Sequence, residues 1–94
     1  MIKIIRIEIL DSFQILCYFN SNERRILDLK NVLDPNNRFV NEILNPTIFR
    51  KAKVGEFGEI KWDNMGEIKE LDGSLTLCEY DISPEFAYYK SAPL

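Results

Sequence analysis

From Lys3 to Leu29 the chain runs through three stretches of alternating side chains, and a period of two dictates pleated strands rather than helices. In the first stretch, Ile5, Ile7 and Ile9 share one face, and Ile4, Arg6, Glu8 and Leu10 share the other. Its density of β-branched isoleucine reinforces the strand reading. Asp11-Ser12 reads as a turn. Phe13, Ile15, Cys17 and Phe19 then form an apolar face opposite the mixed face of Gln14, Leu16 and Tyr18. Asn20-Ser21-Asn22-Glu23 is a break of hairpin length, and a third strand follows over 24–29. Consecutive strands with short breaks predict an antiparallel meander.

The pattern changes after Lys30. Asp34-Pro35-Asn36-Asn37 is a turn cluster, and Phe39, Val40, Ile43 and Leu44 recur at helical spacing. Asn45 is placed to cap a short helix that opens with Pro46. Alternation resumes at Ala52 and Val54, turns at Phe57-Gly58-Glu59, and brings Ile60 and Trp62 to one face. Glu67 to Leu71 and Leu75 to Tyr80 read as strands around the turn Asp72-Gly73-Ser74. A final helix begins with Ser83 as cap, Pro84 at its first position and Glu85 at its positive end.

The predicted fold class is therefore α+β: a small, mostly antiparallel sheet, with an N-terminal three-strand meander and C-terminal hairpins, covered on one face by short helices. One domain over 1–94 accommodates it, with a hairpin insertion at 63–80. The predicted core comprises Ile5, Ile7, Phe13, Ile15, Cys17, Phe19, Leu27, Leu29, Phe49, Val54, Ile60 and Trp62.

Composition narrows the chemistry. The 94 residues contain no histidine, so a Ser-His-Asp triad, a Cys-His pair or a histidine-ligated metal cannot be assembled within one copy. The net charge of −3 gives no general attraction to nucleic acid, and the basic groups Arg24-Arg25, Arg50-Lys51 and Lys53 form no stripe. Cys17 and Cys78 lie in apolar runs without C-x-x-C spacing and read as small buried hydrophobes in a reducing compartment. Lys3, Arg6 and Glu8 interrupt the apolar N-terminus, which argues against a signal peptide and for the cytoplasm. No run reaches the length of a membrane helix.

Among catalytic candidates, Asp28, Asp63, Asp72, Asp81 and Glu85 could serve acid–base chemistry only if the fold pairs them in contrasting environments. Asp28 shares its face with Ile26 and reads as a cap for the turn at 31–33 or a solvent-exposed side chain rather than a catalytic acid. Asp63-Asn64-Met65-Gly66-Glu67 lacks calcium-loop spacing and reads as a surface loop. The serines sit at turns and caps, and the glycines are isolated. No metal or cofactor is implied. Trp62, Tyr80, Tyr88 and Tyr89 combine apolar rings with polar tips. With Arg24 and Arg25 they are the candidate interaction residues.

The element order resembles the bacterial family catalogued as domain of unknown function 2442. The likeness is carried by the strand pair, Leu27-Asp28-Leu29 with Val32-Leu33, Phe39, Leu44-Asn45-Pro46-Thr47-Ile48-Phe49, Gly58-Glu59-Ile60-Lys61-Trp62, and Asp81-Ile82-Ser83-Pro84-Glu85 with Tyr88 or Tyr89. Two departures stand out. Asn20-Ser21-Asn22-Glu23 replaces the family's Asp-Gly hairpin, and the segment 63–80 is longer than usual. The resemblance implies a small α+β fold, no agreed catalytic residues and, for some relatives, a toxin-like partner encoded alongside. The expectation is a non-enzymatic protein-interaction module, with the acidic partner of a toxin–antitoxin-like pair as its narrower form. The implied partners are another protein or further copies of the chain, not nucleic acid or a membrane. The alternatives are a small-molecule-binding protein or enzyme built on carboxylates and tyrosines, and a nucleic-acid-binding regulatory module.

Overall fold

The computed structural model describes residues 1–63, 65, 67–77 and 79–94, and for 67–69 and 76–77 it describes the backbone. The elements follow the order β1 (Ile4–Ile9), β2 (Gln14–Phe19), β3 (Arg24–Asp28), α1 (Leu29–Val32), α2 (Arg38–Ile43), α3 (Pro46–Phe49), β4 (Lys53–Val54), β5 (Ile60–Trp62), β6 (Glu67–Lys69), β7 (Leu75–Leu77), β8 (Tyr80–Ile82), α4 (Pro84–Lys90) and β9 (Ala92–Pro93). Strands β1, β2 and β3 form the expected antiparallel meander, and β9 extends it beyond β3. A second antiparallel sheet has the order β4-β5-β8, and β6 pairs with β7 in a separate hairpin. The architecture is small α+β.

Alternation decides which residues enter the core. On β2, Ile15, Cys17 and Phe19 are buried, and Leu27 of β3 lies opposite Ile15. Ile60, Trp62 and Ile82 of the second sheet meet them, so the core lies between the inner faces of the two sheets. Among the described residues each helix contributes to the same cluster: Leu29 from α1, Ile43 from α2, Phe49 from α3 and Ala87 from α4. These helices thus lie on the inner side of the meander. Burying this apolar set is the main favourable term for a chain of this size.

One core expectation is overturned. Ile4 pairs with Phe19 and Arg6 with Tyr18, leaving Ile5 as an extra residue on β1. A one-residue bulge reverses the facing of the residues before it. Ile4 therefore turns inward and is buried, whereas Ile5 is 63% exposed. Ile7, Phe13 and Val54 are half-buried and pack against the cluster. The chain from Leu75 also differs from the expectation of one strand: β7 ends at Leu77, and β8 begins at Tyr80 in another sheet. Leu29, expected to end the third strand, instead begins α1.

The short helices form where local chemistry holds their ends. Asn37 accepts hydrogen bonds from the Phe39 and Val40 amides, Asn45 from Thr47, and Ser83 from Phe86. Pro46 and Pro84 follow the latter two caps, where a missing N–H costs nothing. Three hairpins share one turn geometry. Phe19, Gly55 and Glu70 each bond through N–H to the carbonyl four residues on, and Asn22, Gly58 and Gly73 occupy the left-handed position. This is the type I turn followed by a left-handed bulge residue, a position suited to glycine or asparagine.

Candidate functional site

The six residues singled out in the sequence fall into separate settings. Trp62 is 1% exposed, and its Nε1 donates to the Phe49 carbonyl at 3.2 Å. It belongs to a buried aromatic row with Phe49 on one side and Tyr80 on the other. An indole so enclosed cannot belong to an interaction surface, so Trp62 leaves the candidate set. Tyr80 is half-buried beside it, and desolvation raises its hydroxyl above the usual tyrosine range.

Arg25 also has an inward role. It shares the face of Leu27, and its Nε donates to the Tyr88 carbonyl and to Ser91 Oγ. Its Nη2 donates to the Ser91 carbonyl at 2.8 Å, its Nη1 lies 3.5 Å from Glu23, and its guanidinium covers the Tyr88 ring. The cation thus neutralises the negative end of α4 and ties that helix to β3. Tyr88 packs edge-on against Phe19 and donates its hydroxyl to Glu23 Oε1, and that bond raises its titration. Tyr89 and Arg24 remain exposed. Tyr89 borders a shallow cleft of about 470 Å³ with Met1, Ile2, Asn20 and Ser21. Arg24 sits on the outer face of the meander.

That outer face forms the most coherent candidate. Strand pairing stacks its side chains in three cross-strand rows: Arg6–Tyr18–Arg24, then Glu8–Leu16–Ile26–Ala92, then Gln14–Asp28. Leu16, buried at 9% exposure, and Ile26, half-buried, lie between these charges outside the core cluster, and the helices pack on the opposite side. Arg6 lies over the Tyr18 ring, 4.1 Å from its centroid, and pairs with Glu8 at 2.6 Å. Tyr18 donates its hydroxyl to the same carboxylate oxygen. Asp28 stands at the start of α1, as expected, but its carboxylate accepts from the Asn31 side chain rather than from a backbone amide. The face thus carries a narrow apolar middle rimmed by hydrogen-bonded charges. The mixed character of the Gln14, Leu16 and Tyr18 face was visible in the sequence. Its importance was missed because nothing local reveals which sheet face remains uncovered.

Other features are weaker. A cleft of about 410 Å³ lies between the β1–β2 turn and α3, lined by Ile9, Asp11, Phe13, Phe49 and Arg50 among others. On the second sheet, Lys53 and Lys61 are directly opposed, and Asp63 bridges them. Its hydrogen bond to Lys53 holds the Asp63 carboxyl below the usual range. Asp72 is likewise lowered, by hydrogen bonds from Ser74. Among the described residues, no group of three His, Cys, Asp or Glu side chains is placed to hold a metal ion. Cys17 is buried, which pushes its thiol up to about 12. Cys78 and two positions of the 63–67 segment, Asn64 and Gly66, lie outside the described residues. No helix among the described residues is long and apolar enough to cross a membrane. A scan against protein-family models, a search of curated proteins and a search of solved structures return no match.

Proposed function

We propose that this chain is a non-enzymatic protein-interaction module that docks through the outer face of its meander sheet. The observation that carries the reading is the Leu16–Ile26 centre, bounded by Arg6, Tyr18, Arg24, Glu8 and Asp28. Such a face offers the half-buried Ile26 for apolar contact and charges that set orientation. The acidic balance and the resemblance to domain of unknown function 2442 extend the proposal to its narrower form, the acidic member of a toxin–antitoxin-like pair.

A photo-crosslinking side chain at Tyr18 tests the reading in the native host cytosol. Phe57, exposed on the β4–β5 turn, provides the control position. A discrete protein adduct at position 18 that Ile26→Glu removes, with none at position 57, is the expected result. Equal labelling at both positions, or none at either, would refute it.

A further inference from the structure

We infer that the occupant of the docking face is a second copy of this chain, related by a two-fold axis running across the strands. The inference rests on the docking role proposed above and identifies the partner. Its basis is the pattern of β3. Arg24, Ile26 and Asp28 share the outer face, with Ile26 midway between opposite charges. Among the described residues neither Arg24 nor Asp28 has an ion-pair partner, and Asp28 bonds only to Asn31.

The pattern is complementary to its own reversal. When two outer faces pack with their β3 strands end for end, Ile26 meets Ile26 and Leu16 meets Leu16. Each Arg24 then faces an Asp28 on the other copy, twice per dimer. A two-fold axis along the strands would instead stack each arginine row on its counterpart, so charge selects between the arrangements. Glu8 falls near the axis and approaches its own counterpart. It is already neutralised by Arg6 of its own chain at 2.6 Å. Beside the centre, Ala92 is small enough for the sheets to approach at the ~10 Å separation of packed β-sheets.

The area sets the strength. Four strands at the usual spacing and rise give a face of about 19 by 20 Å, about 400 Å² per copy, roughly half that of a standard interface. The dimer is therefore a weak, concentration-dependent one, held by the half-buried Ile26 and kept in register by Arg24 and Asp28.

Sedimentation equilibrium of the whole chain from about 1 μM to about 1 mM, the range spanning weak interfaces, tests the inference, with emission of the buried Trp62 confirming folding in every variant. The mass should rise with concentration toward twice the 11.0 kDa of the chain. Ile26→Lys should abolish the rise. Arg24→Asp should weaken association at least about tenfold, as should Asp28→Arg, because each opposes like charges. Mixing these two variants should restore the association that each has lost alone. Should Asp28→Arg fail to fold, Arg24→Asp and Ile26→Lys suffice. A chain that remains monomeric at the highest concentration overturns the inference, as does a dimer unaffected by these substitutions. A monomeric chain that still yields the position-18 adduct with another protein rejects the second copy while leaving the docking face intact.

Discussion

Two side chains show how much a single position carries. Ser12 and Phe13 have φ of 59° and 61°, the consecutive positive values that a type I′ turn demands. Neither residue type favours that region. Phe13 is held there by its ring, which packs edge-on against Phe49 at 5.2 Å, and by its carbonyl, which accepts from Leu29. Ser12 is exposed and has no such compensation, so Ser12→Gly should raise stability by about 0.5–1 kcal/mol in urea unfolding. Arg25 is the opposite case, a cation whose bonds all serve the fold. Arg25→Lys keeps the charge but loses the planar fork that reaches Tyr88, Ser91 and Glu23. It should cost about 1–2 kcal/mol, read as a lower urea midpoint with an unchanged slope. The sequence showed arginine beside a candidate tyrosine. It could not show the guanidinium turning inward, because that depends on α4 returning to β3 across more than sixty residues.

At the level of elements, turns and caps were the most legible parts. Asn45-Pro46 and Ser83-Pro84 start α3 and α4 where the local chemistry placed them, because a cap needs only an acceptor and an amide two or three residues away. The turn at Gly58 adds a constraint that the local pattern hides. Its φ is +80°, and an added Cβ would lie 2.7 Å from Lys3 Cβ, where the Gly58 carbonyl accepts from Ile4. Gly58→Ala should therefore cost about 2 kcal/mol, measured by thermal or urea unfolding. Gly73 has a similar φ of +88° but open space around it, so Gly73→Asn should be far milder in the same assay. The bulge at Ile5 was not legible. Alternation assigns faces within a strand but not the position where a register slips, since that depends on the partner strand.

Across the whole molecule, burial and hydrogen bonding predict a loss of stability at high pH. Below pH 9 the Cys17 thiol and the Tyr80 and Tyr88 hydroxyls hold their protons in both folded and unfolded chains, and their contribution is fully present. Above pH 9 the unfolded chain releases the Cys17 proton from its ordinary value of 9.0, while burial keeps the folded thiol protonated to about 12. Tyr88, through its bond to Glu23, and Tyr80, through desolvation, act the same way above pH 10. For the buried Cys17, stability should fall across pH 9–12 by up to about 1.4 kcal/mol per pH unit, and the two tyrosines act in the same direction. Cys17→Ala should remove the earliest part of that fall in unfolding curves measured from pH 8 to pH 11. Asp63 acts at the other extreme: its lowered carboxyl contributes stability above pH 3.8 that is lost as pH falls through its folded value.

What the chain determined by itself was what neighbouring residues can settle: strand period, turn sites, helix caps, and an α+β meander with short helices. Tertiary structure decided the rest. It buried Trp62, turned Arg25 inward, pushed Ile5 out, divided the run after Leu75 between two sheets, and placed Leu16 and Ile26 on the sheet face away from the helices. The division has one physical cause. Backbone propensity and capping act over a few residues, whereas exposure is a sum over groups that meet only when the chain has closed around them.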